Sequence, residues 1–565
     1  MPDLKHHFDS EMRELQRAGA RFAKEHPDAA RRLSLEEGED CDPHVEQLLE
    51  GFAFLTARIR QSLDNEEDGL ASHLLNLVAP GIDAPLPSVA QVEFCPRPAE
   101  FSQVLELTHG HFVDSSPVPG LQRACHFSLM QDLTLAPIAL VEASLSEDSG
   151  TVLKLALEHW GKPPFAHWPD PLPVFLHGDP AATWAMRHWL LRKADHPILE
   201  VDGIPSPGVN VRLETLESVS AGIGAEPALR TLCAFLNNED SFRYFTIRGL
   251  SRIQARAGER HCLRIGSAEA FPRAWAQEVG TEMFRLHTVP VVNAFPENCE
   301  PVVMDLTQLE YPLVARTGAD LEILEVLEVT GSRNDGTRRN YRPFGAPRPR
   351  RFEEHEPFYE IVKNRHRSRN SASLVVGDLG SEMPEPETLS VRALCCDGEL
   401  PRHFLQAADL NVPDARLPAS LEVRGLTRPS SLLRPPDQGS DRWRLLGHFR
   451  SSLGALLEPG RLQGLLHLMH WDERESRRRL INGIADVTFQ RRHRITRGVA
   501  FPETEITISL RDEACDVRSW DRLGQLDVLA RRLWELFDEA APLGSALRLR
   551  LLIEPSGVVL EHPWP

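Results

Sequence analysis

The sequence predicts an α+β protein: an N-terminal helical bundle segment, then β-rich domains, then a mixed C-terminal α+β domain. Three observations carry this. Before residue 88 apolar residues recur every three or four positions; from 89 they alternate in short runs broken by proline and glycine; after about 440 helical spacing returns between alternating segments. The length of 565 residues suits roughly three or four domains. The expected divisions are 1–88, a helical core-bundle region, 89–395, one or more β-rich wing-like domains, and 396–565, a mixed wing-like domain.

In the first region Phe8, Met12, Leu15, Gly19 and Phe22 step by four, three, four and three, and so line one narrow stripe of a helix. Gly19 lets another backbone approach closely. Asp42-Pro43 opens a second helix, with Asp42 capping exposed amides and Pro43 at the first helical position. Val45, Leu48, Phe52, Leu55 and Ile59 then repeat by three, four, three and four, while Glu46, Glu50, Arg58 and Arg60 take other faces. A third short helix around Leu70, Leu74, Leu75 and Val78 stops before Pro80, Pro85 and Pro87. Stripes this narrow suit either a self-contained three-helix domain or helices lent to a bundle with other chains, and periodicity leaves both open.

In the β-rich part, Val152–Glu158 and Val209–Glu214 alternate as half-buried strands do. Leu321–Val329 fits strand or helix, and Trp184–Leu191 reads as a helix. No fixed repeat points to a solenoid or propeller. Further on, Leu445, Phe449, Leu453 and Leu456, and then Leu526, Leu529, Leu533 and Leu536, have helical spacing; Ile506–Leu510 and Leu547–Leu551 read as strands.

With 63 basic and 82 acidic residues the net charge is −19, which argues against general nucleic-acid binding and against attachment to an anionic membrane. No run approaches the roughly 18 apolar residues that cross a bilayer, so no direct membrane insertion is expected. Met1–Asp9 breaks into charge at once, unlike a secretory signal, which sets the expectation of a cytosolic protein. Nine scattered cysteines without a C-x-x-C pair read as reduced thiols. One segment runs against the acidic trend: residues 331–370 hold eleven basic and five acidic side chains, +6 in all. Arg348, Arg350, Arg351, Arg365, Arg367 and Arg369 are its candidate electrostatic docking residues. The segment reads as a solvated loop, a dock for an acidic partner, or a nucleic-acid contact.

Phosphate-loop, dinucleotide, zinc-protease and serine-hydrolase signatures are all missing. The best chemical candidate is His109-Gly110-His111 with Asp114, Cys125 and His126, although its spacing matches no familiar metal site. It supports the alternative of a cytosolic metal- or thiol-dependent hydrolase. Adjacent Cys395-Cys396 point to opposite faces of a strand and do not suit shared ligation. No catalytic residue, cofactor or metal is assigned.

The order of motifs resembles the TssF family (also called VasA or ImpG), the wedge component of the bacterial type VI secretion baseplate. The resemblance starts at Glu11–Leu15, Phe22–Pro27 and Ala30–Leu33, is strongest in Asp42–Arg60, and continues through Pro85–Ser88. Weaker likenesses follow at Cys125–Phe127, Val292–Pro296, Tyr341–Phe344, Leu400-Pro401 and Trp443–Leu446. Two departures stand out. Cys395-Cys396-Asp397 replaces the usual Cys-Thr-Asn, and the Asn-Ser-Phe expected after the last helix is replaced around Ala541-Pro542-Leu543. The resemblance implies a non-catalytic structural subunit, two copies of which pair around one TssG. It implies TssK bound through TssG, TssE linking toward the contractile sheath, neighbouring wedges around a VgrG spike, and a baseplate held at the cytoplasmic face of the inner membrane through partners. It gives the seam residues Phe8, Met12, Leu15, Phe22, Val45, Leu48, Phe52, Leu55 and Ile59 a role in a helical bundle with TssG.

Overall fold

The computed structural model describes residues 4–32, 43–160, 168–206, 209–216, 228–253, 260–344, 357–364, 371–378, 386–435, 439–449 and 457–562, except 80, 83, 99, 119, 121–122, 148–149, 306, 318–320, 334, 473, 497–498, 516–518 and 542–545. The protein is a mixed α+β fold that divides into two compact units. One comprises residues 1–83 with 436–450, the other 84–435 with 451–565.

The first unit is helical. It contains α1 (Leu4–Glu25), α2 (Pro27–Arg32), α3 (Pro43–Val78) and a returning helix, Gly439–Phe449. The spacing predicts two helices where α3 is one, 36 residues long. The stretch between them, Arg60–Gly69, holds no proline, and its weak helix formers, such as Asn65 and Gly69, each cost about 1 kcal/mol or less, so nothing in it breaks the helix. α3 ends at Val78, two residues before Pro80, as expected. The returning helix differs from its expected place in the C-terminal domain. Its buried Leu445 and Leu446 need an apolar partner, and the helix packs on α3. Leu453 and Leu456 lie outside the described residues.

The second unit is built of sheets. A six-stranded antiparallel sheet runs Leu410–Pro413, Phe112–Ser115, His126–Leu129, Thr288–Val292, Val89–Pro96, Leu421–Gly425. Its core gathers Phe94, Phe127, Val291, Leu410 and Val423. Strands from both sides of the expected 395/396 division thus share one sheet, because pairing follows edges that meet in space and not proximity along the chain. A five-stranded sheet centred on Arg260–Ser267 and Thr151–His159 packs with Trp189, Phe245 and Phe271. In the eight-stranded sheet the ambiguous 321–329 stretch is a strand, Glu322–Ser332, paired with Glu387–Cys396. Of Val209–Glu214 only Arg212–Glu214 is strand, paired with Tyr244–Arg248.

The chain closes with a four-stranded sheet of Ile484–Thr496, Val499–Arg511, Ala546–Glu554 and Val558–His562. The middle two strands are parallel, which demands a crossover; the Trp520–Glu539 helix supplies it. That helix buries Leu526, Leu529, Leu533 and Phe537. It crosses the Pro180–His188 helix at Gly524, where any Cβ would meet the Trp184 carbonyl oxygen. Beside the crossing, buried Asp527 takes Arg187 at 3.3 Å, Arg192 Nε at 2.6 Å and His562 at 3.2 Å. Burial alone would raise the Asp527 pKa. The charges of Arg192, His562 and Arg187 outweigh that and hold it well below the usual carboxylate range.

Candidate interaction surface

α3 has two faces, and residue size decides which is covered within the chain. Ala53, Ala57, Ala71 and Leu75 are buried. Small side chains at 53 and 57 let α1 approach, and the Arg60 guanidinium pairs with the Glu11 carboxylate across the two helices. His7 and Glu11 are buried on α1, while Phe8, Met12 and Leu15 are half-buried.

The other face of α3 is open. Leu48, Phe52, Leu55, Ile59, Leu63, Leu70, Leu74 and Leu77 are each 36–72% exposed. At about 100° per residue they fall within an arc of roughly 100°, a single stripe about 44 Å long. Ala53, Ala57, Ala71 and Leu75 lie well around the helix from that arc. Side chains of this size leave on the order of 800 Å² of apolar surface in water, more than the largest patch of a typical monomer and close to one partner's share of a stable interface.

The predicted seam residues therefore separate. Leu48, Phe52, Leu55 and Ile59 share the open stripe; Phe8, Met12 and Leu15 are partly covered inside the chain; Phe22 is exposed, its ring 5.1 Å from that of His26. Val45 lies in the first turns of α3. Sequence reasoning missed the continuation through Leu63, Leu70, Leu74 and Leu77. Their spacing carried the signal, but the helix was divided before they could be joined to the stripe.

Arg348, Arg350, Arg351, Arg365, Arg367 and Arg369 lie outside the described residues. Two other cations of that segment are already engaged. Arg333 Nε and Arg339 Nη2 donate to buried Glu387 at 2.8 and 2.6 Å, and the Tyr341 hydroxyl donates to it at 3.1 Å. Burial, then the Glu387 charge, pushes the Tyr341 phenol up to about 12.

The residues of the hydrolase alternative come apart into separate pairs. His109 Nδ1 lies 3.3 Å from Asp132, His111 Nδ1 3.5 Å from Asp414, and His126 Nδ1 2.7 Å from Asp114. Asp414 is also held by Arg416, whose Nε donates at 2.9 Å. Burial pushes the Cys125 thiol up to about 12, away from the thiolate a nucleophile needs. Among the described residues no three His, Cys, Asp or Glu side chains gather as metal ligands do. His109 and His111, two residues apart, each turn to a carboxylate from a different part of the chain, Asp132 and Asp414.

A long helix with an open apolar stripe, in a mixed α+β chain, has the geometry of an assembly subunit whose surface other chains complete. The family model for "Type VI secretion system, TssF" matches residues 1–531, and the chain belongs to that family. It is similar to the type VI secretion system component TssF1 of Pseudomonas aeruginosa, 25% identical over an alignment 509 residues long that covers 81% of this chain and 81% of that one. Among solved structures it is similar to a chain of the TssK–TssF–TssG baseplate subcomplex determined by cryo-electron microscopy, with a TM-score of 0.75 and 21% identity over 92% of this chain and 98% of that one. It is also similar to a chain of the baseplate complex from the type VI secretion system, with a TM-score of 0.66 and 22% identity over 100% and 99%. These two likenesses establish a shared fold.

Proposed function

We propose that the chain is a non-catalytic structural subunit of the type VI secretion baseplate wedge, in which helices of a TssG-type subunit cover the open stripe of α3. The observation that carries this is the inversion on α3: its alanines face inward while Leu48, Phe52, Leu55 and Ile59 face water. A core helix would show the reverse. Family membership and the TssK–TssF–TssG composition of a similar assembly support the same reading.

In this reading two copies flank one TssG-type subunit, TssK joins through TssG, and TssE, neighbouring wedges and a VgrG spike complete the surroundings. The baseplate then sits in the cytoplasm, at the inner membrane through those partners. The basic segment adds an electrostatic dock through Arg348, Arg350, Arg351, Arg365, Arg367 and Arg369 for an acidic face of a neighbouring wedge or sheath component. Arg333 and Arg339 of the same segment already share the Glu387 carboxylate.

The test is co-expression with a TssG-type partner. Phe52→Asp and Leu55→Asp abolish co-purification while residues 84–435 and 451–565 keep their fold; normal recovery of the partner with either variant refutes the reading.

A further inference from the structure

The second unit carries a knob and a hole that the proposed function does not use. The knob is the loop Asp305–Glu310 of the eight-stranded sheet. One end is held by strand Val302–Met304, paired with Glu387–Cys396, and the other by Tyr311–Pro312, paired with Ser371–Asp378. Met304 and Tyr311 are buried. Between them the Asp305 carboxylate accepts the Thr307 amide at 3.1 Å and the Thr307 hydroxyl at 2.7 Å, which fixes a tight turn. Anchored in this way, Leu309 stands 91% exposed, the most exposed large apolar side chain among the described residues, and Val303, two residues before the loop, is 66% exposed. Single exposed leucines are ordinary on a surface. This one sits in a run, Glu300–Ala315, that holds three acids and no base, and among the described residues no cation pairs with Glu300, Asp305 or Glu310.

The hole is a half-open pocket lined by residues of the second unit alone, among them Leu86, Met130, Phe242 and Leu433, with Ser431 and Asn238 as polar members. Its space suits roughly two water molecules, about the branched end of one leucine. The acids beside its helical wall are occupied: Glu239 pairs with Arg477, and Asp240 with Arg243 at 3.2 Å. The cations beside its other wall are not. Arg428 lies two residues before Ser430 of the lining, and its Nε and Nη2 donate to the Leu405 and Arg402 carbonyls at 3.3 and 2.6 Å. Arg402 Nη1 donates to the Pro429 carbonyl at 3.3 Å. Among the described residues neither arginine meets a carboxylate.

We propose that the chain self-associates head to tail: Leu309 of one copy enters the pocket of a second copy, and Asp305 and Glu310 face the second copy's Arg402 and Arg428. The apolar insertion supplies the anchor, and the unpaired acids and cations select the orientation. Knob and hole are different surfaces, so each contact leaves one of each unused and the association extends into a row or a ring. The inference is independent of the α3 stripe and of the basic segment.

Sedimentation velocity on the full chain tests it, with Leu55→Asp in every sample so that the α3 stripe does not contribute. The expected result is concentration-dependent association that weakens about tenfold or more in Leu309→Asp, which loses the knob, and in Ser431→Phe, which fills the hole. Mixing the two variants restores association but stops it at pairs, because one supplies an intact hole and the other an intact knob. If circular dichroism shows Ser431→Phe misfolded, Ala234→Leu fills the same pocket and is held to the same outcomes. Any of three results overturns the proposal: a chain that stays single up to about 100 µM, association of either variant as tight as that of the parent, or a mixture that fails to pair.

Discussion

Leu55→Asp separates an interface residue from a core residue because the structure fixes what each role costs. Leu55 is 58% exposed in the chain alone. Aspartate there costs the free protein little beyond helix propensity, about 0.5 kcal/mol. Under a partner helix the position loses the remaining leucine burial, roughly 80 Å² and so about 2 kcal/mol. It also places a carboxylate in an apolar seam, which adds at least about 2 kcal/mol. Together these exceed about 4 kcal/mol, or roughly a thousandfold in Kd. Calorimetric titration against the purified TssG-type subunit reads the affinity, and thermal unfolding of the free chain reads the fold. Binding within about threefold of wild type refutes the reasoning, as does a loss of free-chain stability above about 2 kcal/mol. Ala57→Asp is the control: this residue is fully buried, so the substitution disrupts the first unit itself.

Arg350→Glu with Arg351→Glu leaves the single wedge intact but weakens ring assembly in a salt-sensitive way, as seen by sedimentation; unchanged assembly returns the segment to a solvated loop. Asp527→Ala strands Arg187 and Arg192 in the interior and costs about 3–5 kcal/mol by denaturant unfolding. Because the folded pKa of Asp527 lies below the unfolded value of about 3.9, its stabilisation is present above that pH and is lost as pH falls further, so acid unfolding flattens in the variant. Gly524→Ala drives a methyl group onto the Trp184 carbonyl and costs about 1–3 kcal/mol, with the thermal midpoint falling accordingly.

Much of this was legible from local pattern. The four-and-three steps of Leu48, Phe52, Leu55 and Ile59 define a stripe whatever covers it, since helical geometry alone puts those residues on one side. The alternation in Val152–Glu158 and Leu547–Leu551 gave strands for the same reason, and the helix between the last strands was visible in Leu526, Leu529, Leu533 and Leu536. The hydrolase candidates failed because two histidines close in sequence say nothing about which carboxylates reach them: Asp132 and Asp414 come from distant positions.

The helical start, the β-rich middle, the mixed end and the stripe on α3 are all written in the order of residues, because each depends on periods of two or about 3.6 residues set by the backbone. Which side of α3 is covered, the return of residues 439–449 to the first unit and the sharing of one sheet by strands on both sides of residue 395 are settled by tertiary packing. Those outcomes depend on partners hundreds of residues away, and burial is a property of the pair that meets, which neither member carries alone.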